Sequence, residues 1–342
     1  MQPARPLSLV ITTYDRPDAL AAVVRACFMQ DDKNFEIIIA DDGSAANTAA
    51  CIEQLARASP VPLKHVWQPD QGFRAAMARN RGILAARGGY IVFLDGDCIP
   101  QHDFIARHRA LARPGRLVSG SRVLMSEALT RRVLDDGIDV AAASSVTHLG
   151  WRLGGHINKV AQLLVRWPDI GRRIGSNARR FNWRRIKSCN LGVWRSDLER
   201  VNGFDESFTG WGYEDSDLVL RLFHAGVLRT DGAFATEVFH LWHREAGRDR
   251  AGSNLQEVLA RAGTGITQAV KGLHEHANTR LTPALPPGWT AQPSTLRINT
   301  RPPLPSPPAA SRAHTSTRPT APPASHPPAA GCTESPAASR AG

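Results

Sequence analysis

The first part of the chain alternates short apolar runs with longer amphipathic stretches. Four runs rich in Val, Ile, Leu and Phe are predicted to be buried β-strands: Leu7–Ile11, Phe35–Ala40, Leu63–Trp67 and Tyr90–Leu94. Three Ala-rich stretches between them have the apolar spacing of helices: Asp18–Met29, Ala49–Ala58 and Phe73–Ala86. Strands and helices alternating at this pitch predict βαβ units. We therefore expect an α/β fold with a mostly parallel sheet covered by helices on both faces.

Polar and acidic residues follow three of these strands directly. The first strand leads into Thr12-Thr13-Tyr14-Asp15, the second into Asp41-Asp42 and the fourth into Asp95-Gly96-Asp97. Ligands of parallel sheets bind at the carboxyl ends of the strands. One acid after one strand is ordinary turn chemistry. Acids after two neighbouring strands that face the same crevice indicate a binding site.

The pattern changes after residue 120. Residues 120–187 favour irregular helices with tryptophans at intervals. The following elements are predicted from apolar spacing and turn residues: a strand at Cys189–Trp194, a Gly- and aromatic-rich loop at Gly203–Gly212, and a helix over Tyr213–Gly226 with Glu214, Asp215 and Asp217 in its first turn. A short apolar run, Val238–His243, carries two histidines three residues apart.

The positive charge is concentrated in residues 120–187 and in the tail, residues 283–342. The formal net charge is +11, and residues 120–187 contain 13 basic but only 5 acidic residues. The remaining predicted globule is nearly neutral, so we expect no nucleic-acid partner. Arginine doublets stand at Arg172-Arg173, Arg179-Arg180 and Arg184-Arg185. They predict either a solvated helical surface or a face for phosphates, those of a lipid-linked acceptor or of an anionic bilayer.

Composition and cysteine usage exclude several classes of protein. With 42% hydrophobic residues the chain is neither collagen-like nor wholly disordered. Residues 283–342, however, hold 15 of the 24 prolines and a single acidic residue, Glu334, and are predicted to be disordered. Five cysteines without a CxxC pair argue against a disulfide framework and a structural zinc site. Neither a signal peptide nor a membrane span is recognisable, so we expect a cytoplasmic protein, with peripheral contact at the inner face of the membrane left open.

Taken in order, these motifs resemble the family-2 glycosyltransferases of the GT-A fold. The resemblance rests on LSLVITTYDRP, IIIADDGS, RNRGILAA and FLDGDCIP. The later GFDESFTGWGYEDSDLVLRLFHAG is similar to the acceptor-side segment shared by β-1,4-galactosyltransferases and bacterial chondroitin-type polymerases. A lone DxD motif means little, but this ordered set, which spans residues 7–245, is specific.

The resemblance implies a divalent cation, Mn²⁺ or Mg²⁺, that neutralises the leaving nucleoside diphosphate. In the family the last Asp of the DxD motif touches the metal and the first approaches the ribose. These positions correspond to Asp97 and Asp95, and both can also reach the ion or its water shell. Relatives place a metal-binding histidine further along the chain. Here it is His240 or His243, with His240 favoured because His243 borders a polar run.

Other residues are implied to hold the nucleotide. Asp41 or Asp42 would accept the uracil imide N–H, with Asp41 the firmer implication. Thr13 and Arg16 lie where the family's first loop wraps the nucleotide. Arg79, like Arg81, falls near the pyrophosphate side, although a surface position on an amphipathic helix is equally open.

A direct displacement at the anomeric carbon needs a base for the acceptor hydroxyl. The family places that base in an acidic pair after a Trp-Gly element. We therefore expect Asp215 to be the base and Glu214 to hold a hydroxyl of acceptor or donor. Trp211, next to Gly212, would stack on a sugar ring. A single catalytic carboxylate without a second one as nucleophile implies inversion of configuration.

The predicted organisation has four segments: a donor half at 1–118, a basic helical insertion at 119–187, an acceptor half of the same globule at 188–282, and the tail at 283–342. The implied reaction moves a hexose or N-acetylhexosamine from a nucleotide sugar, UDP-linked, to a growing cell-surface glycan or lipid-linked glycan. Lipopolysaccharide core and capsule are the acceptor classes that the charge suggests.

Two alternatives stay open at this point. YIVFLDGDC resembles the DxDx(T/V) strand of HAD-like phosphohydrolases, but Cys98 replaces Thr or Val and two βα units precede the motif. A catalytically idle nucleotide- or carbohydrate-binding module would use the same crevice. The presence of both DGD and GWGYED argues against that loss of activity.

Overall fold

The computed structural model describes residues 6–165, 183, 186–244 and 247–277. Within them the chain forms the following strands: β1 (Leu7–Thr13), β2 (Phe35–Asp41), β3 (Leu63–Trp67), β4 (Tyr90–Asp95), β5 (Cys98–Pro100), β6 (Arg116–Ser119), β7 (Arg122–Leu124), β8 (Asn190–Trp194), β9 (Leu228–Asp231) and β10 (Val238–His240). The helices are α1 (Pro17–Phe28), α2 (Ala46–Ala58), α3 (Ala75–Ala85), α4 (Phe104–Leu111), α5 (Glu127–Asp136), α6 (Ser145–Leu153), α7 (Ala161–Leu164), α8 (Arg195–Arg200), α9 (Glu214–His224), α10 (Ala251–Ala262) and α11 (Leu273–Ala277).

Seven strands form the central sheet in the order β3-β2-β1-β4-β8-β6-β9. Strands β3, β2, β1 and β4 are parallel, β8 runs antiparallel to both of its neighbours, and β6 is parallel to β9. A second sheet has the order β5-β10-β7. The predicted α/β fold with a mostly parallel central sheet is confirmed.

The central strands are mostly apolar because helices cover both faces of the sheet. Successive side chains of a strand point to opposite faces. Leu9 and Ile11 therefore belong to the core beneath α1 and α2. Val10 and Ile38 belong to the second core, with residues of α3 and α9.

The predicted strands and helices are present, with ends shifted by a few residues. The short strands β5, β6, β7, β9 and β10 were not predicted, since three or four residues are too few to show a period of two. Strand β7 corrects the prediction for residues 120–187, which is not helical throughout. Strand β6, from the predicted donor half, pairs with β8 and β9 from the predicted acceptor half. The two halves therefore share one sheet.

Some predictions fall where the structure gives no description. The three arginine doublets and the proline-rich segment 283–342 lie outside the described residues. Among the described residues, no helix combines the length and the apolar content needed to cross a bilayer.

Candidate functional site

The carboxyl ends of three adjacent parallel strands lie level with one another. In the sheet register Thr13 of β1 pairs with Asp41 of β2, and Thr12 pairs with Asp95 of β4. The loops that follow are tied to β1: the Asp42 amide donates to the Thr13 carbonyl (3.0 Å) and the Gly96 amide to the Thr12 carbonyl (2.8 Å). The acids after β2 and β4 therefore flank one crevice, as their positions in the sequence predict.

Glycine between the two acids of the DGD motif is required by close contact with β1. A Cβ atom at Gly96 would lie 3.0 Å from the Thr12 carbonyl oxygen and 3.2 Å from Thr13 Oγ1. A larger residue would push the motif away from the strand. The buried Thr13 side chain therefore packs directly against the DGD motif.

Asp97 meets both candidate histidines. Its Oδ2 atom lies 3.2 Å from His243 Nε2 and 3.7 Å from His240 Nε2. The antiparallel pairing of β5 with β10 sets Cys98 opposite His240, and the Leu241 amide donates to the Asp97 carbonyl (2.9 Å). Strand pairing between segments about 140 residues apart therefore assembles this cluster.

The donor atoms of the cluster fit a divalent cation of the Mn²⁺ class. Burial opposes ionisation of Asp97, but the hydrogen bond from His243 and the charges of both imidazoles hold its pKa below the usual range. Burial raises the pKa of the neighbouring Cys98 thiol well above its usual range. The donor atoms of Asp97, Cys98 and His240 lie within 4.8 Å of one another, and His243 Nε2 lies 3.2 Å from Asp97. Since burial opposes ionisation of the Cys98 thiol, the carboxylate and the two imidazole nitrogens are the ligands that best suit a borderline divalent ion.

Arg79 connects Asp95, at the end of β4, with Glu214, at the start of α9. Its Nη2 atom lies 3.1 Å from Asp95 Oδ1, and its Nη1 atom lies 3.0 Å from Glu214 Oε1. The side chain is only 6% exposed. Both arms of its guanidinium contact carboxylates in this structure, whereas the resemblance implies a place near the pyrophosphate and leaves a helix-surface position equally open. Arg81 instead donates to the Trp67 carbonyl (2.9 Å).

The acidic pair begins helix α9 after a sharp turn. Gly212 has φ +104° and Tyr213 has φ +75°, both in the left-handed region. The turn buries Glu214 and Asp215 in the first turn of the helix. Burial, together with the adjacent Asp215 carboxylate, raises the pKa of Glu214. Asp215 Oδ2 accepts from the Ser188 amide (3.3 Å), and Lys187 Nζ lies 3.7 Å from its Oδ1.

Helix α10 supports the loop that carries Trp211 and Gly212. Asn254 Nδ2 donates to the Gly212 carbonyl (2.9 Å) and to the Thr209 carbonyl (3.3 Å). The Arg248 guanidinium lies 4.8 Å from the centre of the Trp211 ring. A cation stacked on one face of the indole fixes the plane of the ring.

Asp217 is a buried structural residue. Its Oδ2 accepts from Arg221 Nε (2.8 Å) and its Oδ1 accepts from Arg261 Nη1 (2.8 Å), which also donates to Asp205 (2.8 Å). A buried ion network of this kind is stable only when its polar atoms are paired. The network fixes the start of the Gly203–Gly212 loop to α9 and α10.

Asp41, the last residue of β2, and Asp42, which follows it, have different environments. Asp41 Oδ1 accepts from the Gly43 and Ser44 amides, and its Oδ2 lies 2.9 Å from His65 Nε2. Asp42 accepts from Gln68 Nε2 (2.6 Å) and from the Arg74 amide (2.7 Å).

Burial raises the pKa of Asp42 to about 6. The carboxylate of Asp41 has no exposed surface and shapes the loop itself.

Arg16 lies in the loop between β1 and α1. It precedes α1, its side chain is partly exposed, and its Nε atom lies 3.1 Å from Asp18 Oδ1.

Several contacts of the site could not be inferred from any motif. The side chains involved are His65, Gln68, Lys187, Arg248, Asn254 and Arg261. Each meets a partner at least 24 residues away, and only the folded chain brings them together. None of them has a spacing pattern that would have shown it.

Comparison with curated proteins gives relatives at low identity. The chain is 28% identical to a chondroitin synthase of Escherichia coli over 234 residues, which cover 64% of this chain and 32% of that protein. It is 28% identical to a hyaluronan synthase of Pasteurella multocida, over 64% of this chain and 23% of the relative. A validoxylamine A glucosyltransferase of Streptomyces hygroscopicus is 28% identical over 66% of this chain and 53% of its own length. The chain thus spans about a third or less of the two synthases.

Solved structures share the fold. The mannosyltransferase PcManGT of Pyrobaculum calidifontis, in complex with GDP-Man and Mn²⁺, has a TM-score of 0.52 and 17% identity, covering 76% of this chain and 65% of that one. S. aureus TarS has a TM-score of 0.50 and 12% identity, covering 79% of this chain and 41% of that one. The GT-A architecture that the sequence predicts is confirmed by this likeness.

Two family models match the chain in order. The model described as N-terminal domain of galactosyltransferase matches residues 171–244, the part that contains the acidic pair and both candidate histidines. The model described as glycosyl transferase family 2 matches residues 8–200, more than half of the 342 residues. With the strand-end acids in the positions described above, the chain belongs to glycosyl transferase family 2.

Proposed function

We propose that this protein is an inverting, metal-dependent glycosyltransferase that moves a hexose or N-acetylhexosamine from a UDP-linked sugar to a growing cell-surface glycan. The observation that carries the proposal is the pair of acidic clusters across one crevice. Asp97 stands with two imidazoles on one side, Glu214 and Asp215 begin a helix on the other, and Arg79 joins the two sides. Family membership removes the phosphohydrolase alternative.

The comparisons support the class of donor and acceptor. The names of two relatives describe synthases of chondroitin and hyaluronan, and the solved mannosyltransferase was captured with a nucleotide sugar and Mn²⁺. For this chain we propose a UDP-linked donor and a glycan or lipid-linked glycan acceptor, of capsule or lipopolysaccharide type.

Asp97, His240 and His243 would hold the metal, with Asp95 close by. A bound divalent cation supplies positive charge that neutralises the leaving nucleoside diphosphate. Asp95 Oδ1 accepts from Arg79 Nη2 (3.1 Å), which restricts rotation of the carboxylate, and Asp95 would approach the ribose. The residues therefore fix where the diphosphate sits before any bond is broken.

Asp42 is the proposed acceptor for the imide N–H of uracil. The resemblance favours Asp41, but all the groups that Asp41 contacts belong to its own loop or to β3, and its carboxylate is sealed from solvent. Asp42 keeps lone pairs that its two hydrogen bonds do not use. A carboxylate there accepts from an N–H more strongly than a neutral group does.

Uridine binding is expected to weaken by about tenfold as the pH falls through 6, since protonation of Asp42 replaces a charge-assisted hydrogen bond with a neutral one. NMR titration with uridine in the absence of metal measures this without interference from phosphate or from the metal-site histidines. Asp42→Asn should bind weakly with no step near pH 6, and N3-methyluridine should show no step in the wild type. An unchanged step in Asp42→Asn would rule out this role.

Asp215 is the proposed base. It lies in the first turn of α9, next to Glu214, with Lys187 Nζ 3.7 Å from its Oδ1 atom. It would take the proton of the acceptor hydroxyl as that oxygen attacks the anomeric carbon. Glu214, fixed by Arg79, would hold a neighbouring sugar hydroxyl, and the Trp211 ring would pack against the sugar. With one base and no nucleophilic carboxylate, the configuration inverts.

Release of nucleoside diphosphate from a panel of nucleotide sugars, with and without Mn²⁺, tests the proposal directly. We expect Mn²⁺-dependent release of UDP from one or two UDP-sugars even without an acceptor, because slow hydrolysis accompanies donor activation. Binding of UDP without turnover of any donor, in the presence of candidate acceptors, would favour the idle binding module instead. Turnover of GDP-sugars only would retain the enzyme class but contradict the uracil contact.

A further inference from the structure

Helix α6 presents an apolar stripe to solvent. Val146 and Leu153 are each 80% exposed and Leu149 is 43% exposed. Spacings of three and four residues place these side chains on one face of the helix. Large aliphatic side chains at such exposure, grouped on one face, indicate a surface that contacts something apolar.

The apolar surface continues along the chain. Helix α7 ends with Leu164, and Val165 follows it; both are also exposed, at 41% and 47%. The opposite face of α6 is buried: the His148 ring packs against Trp151 and against Phe239 of β10. Phe239 directly precedes the metal-site residue His240. The exposed stripe is thus anchored one residue from the candidate metal cluster.

The sequence of this region is basic. Residues 140–165 contain no acidic residue, and Arg152, on the flank of the stripe, is exposed. Over residues 140–187 the sequence has ten basic residues and one acidic residue, Asp169. An apolar face flanked by basic residues is the pattern of interfacial helices, which insert aliphatic side chains while cations meet lipid phosphates.

We propose that the α6 face, formed by Val146, Leu149 and Leu153 and continued by Leu164 and Val165, docks on an anionic lipid bilayer. The aliphatic side chains enter the interfacial region and Arg152 lies at the level of the headgroups. This surface differs from the arginine doublets considered in the sequence analysis, and docking does not depend on which sugar is transferred. It would hold the crevice next to a lipid-linked acceptor.

Co-sedimentation of the full chain with vesicles tests the proposal. One set of vesicles contains phosphatidylglycerol and phosphatidylethanolamine, and the other contains phosphatidylcholine alone. We expect binding to the anionic set, weakened by high salt. The triple variant Val146→Ser/Leu149→Ser/Leu153→Ser should lose at least about tenfold in affinity, because it removes most of the inserted apolar area. Arg152→Glu should also weaken binding.

A matched control replaces two exposed apolar residues elsewhere, Met29→Ser/Val270→Ser, and should bind as the wild type does. Circular dichroism and UDP release without acceptor should be the same in all variants, which separates loss of docking from loss of fold or of catalysis. Wild-type protein that ignores anionic vesicles would overturn the proposal. So would a triple variant that binds normally, or one that turns a wild-type dimer into a monomer, since a second copy would then cover the face.

Discussion

Asp97→Ala is expected to lower donor turnover by at least about a thousandfold. Charge neutralisation by a bound cation contributes several kcal/mol to the transition state, and each 1.36 kcal/mol corresponds to a factor of ten in rate. Asp97 is the carboxylate on which both imidazoles converge, so its loss removes the only anionic ligand of that cluster among the described residues. The measurement is kcat/KM for UDP release across a series of Mn²⁺ concentrations.

Asp136→Ala is the matched control, since it removes the same charge from an exposed position at the end of α5 and should leave turnover unchanged. His240→Ala and His243→Ala should each raise the Mn²⁺ concentration needed for half-maximal rate. Equal turnover of wild type and Asp97→Ala at low Mn²⁺ would contradict the metal site, and the DGD motif would then be a turn.

The strands and the main helices could be predicted because their periodicity is long enough to measure. Strands β1, β2 and β4 are predominantly apolar runs, and the acids at and after the ends of β2 and β4 are located by the end of each run. Adjacency of those ends follows from the rules of parallel sheets. The family resemblance added the order of the motifs, which the comparisons confirm.

The side-chain partners could not be predicted, because they depend on contacts across the sheet. Which of Asp41 and Asp42 faces inward is decided by His65, on a neighbouring strand, and by two loop amides. The orientation of Arg79 is decided by Glu214, 135 residues further along. Neither partner leaves a trace in local spacing.

The support from α10 was missed for the same reason. Helix α10 lies beyond both regions matched by the family models, yet its residues Asn254 and Arg261 hold the Gly203–Gly212 loop in place. The candidate metal cluster shows the opposite case. The resemblance pointed to Asp97, His240 and His243, which the structure brings together, whereas the strand pairing that assembles them could not be predicted, since β5 and β10 have three residues each.

Arg79 has a consequence for the order of events in the crevice. Its guanidinium is shared between Asp95, proposed for the donor side, and Glu214, proposed for the acceptor side. A change in the charge near Asp95 on donor binding therefore alters the field at the acidic pair. The two clusters are electrostatically linked before an acceptor arrives.

Asp215→Asn is expected to reduce sugar transfer by about a hundredfold to ten-thousandfold, the range that a positioned general base contributes. The amide keeps the shape of the side chain and can still accept from the Ser188 amide, so helix α9 should fold normally. Donor binding should change little, because the hydrogen bonds and the ion pair of Asp215 are with Ser188, Ser216 and Lys187. The measurements are kcat for transfer to acceptor and the dissociation constant for UDP with Mn²⁺.

Glu214→Gln separates the two acids of the pair. If Asp215 is the base, the glutamine variant should mainly raise the acceptor KM, because Glu214 binds a hydroxyl rather than removing its proton. Its loss of charge also leaves Arg79 with a single carboxylate partner, so donor KM should rise as well. A larger loss of kcat in Glu214→Gln than in Asp215→Asn would reverse the assignment and make Glu214 the base. Exposed Glu199→Gln on α8 controls for a general effect of charge and should transfer sugar at the wild-type rate.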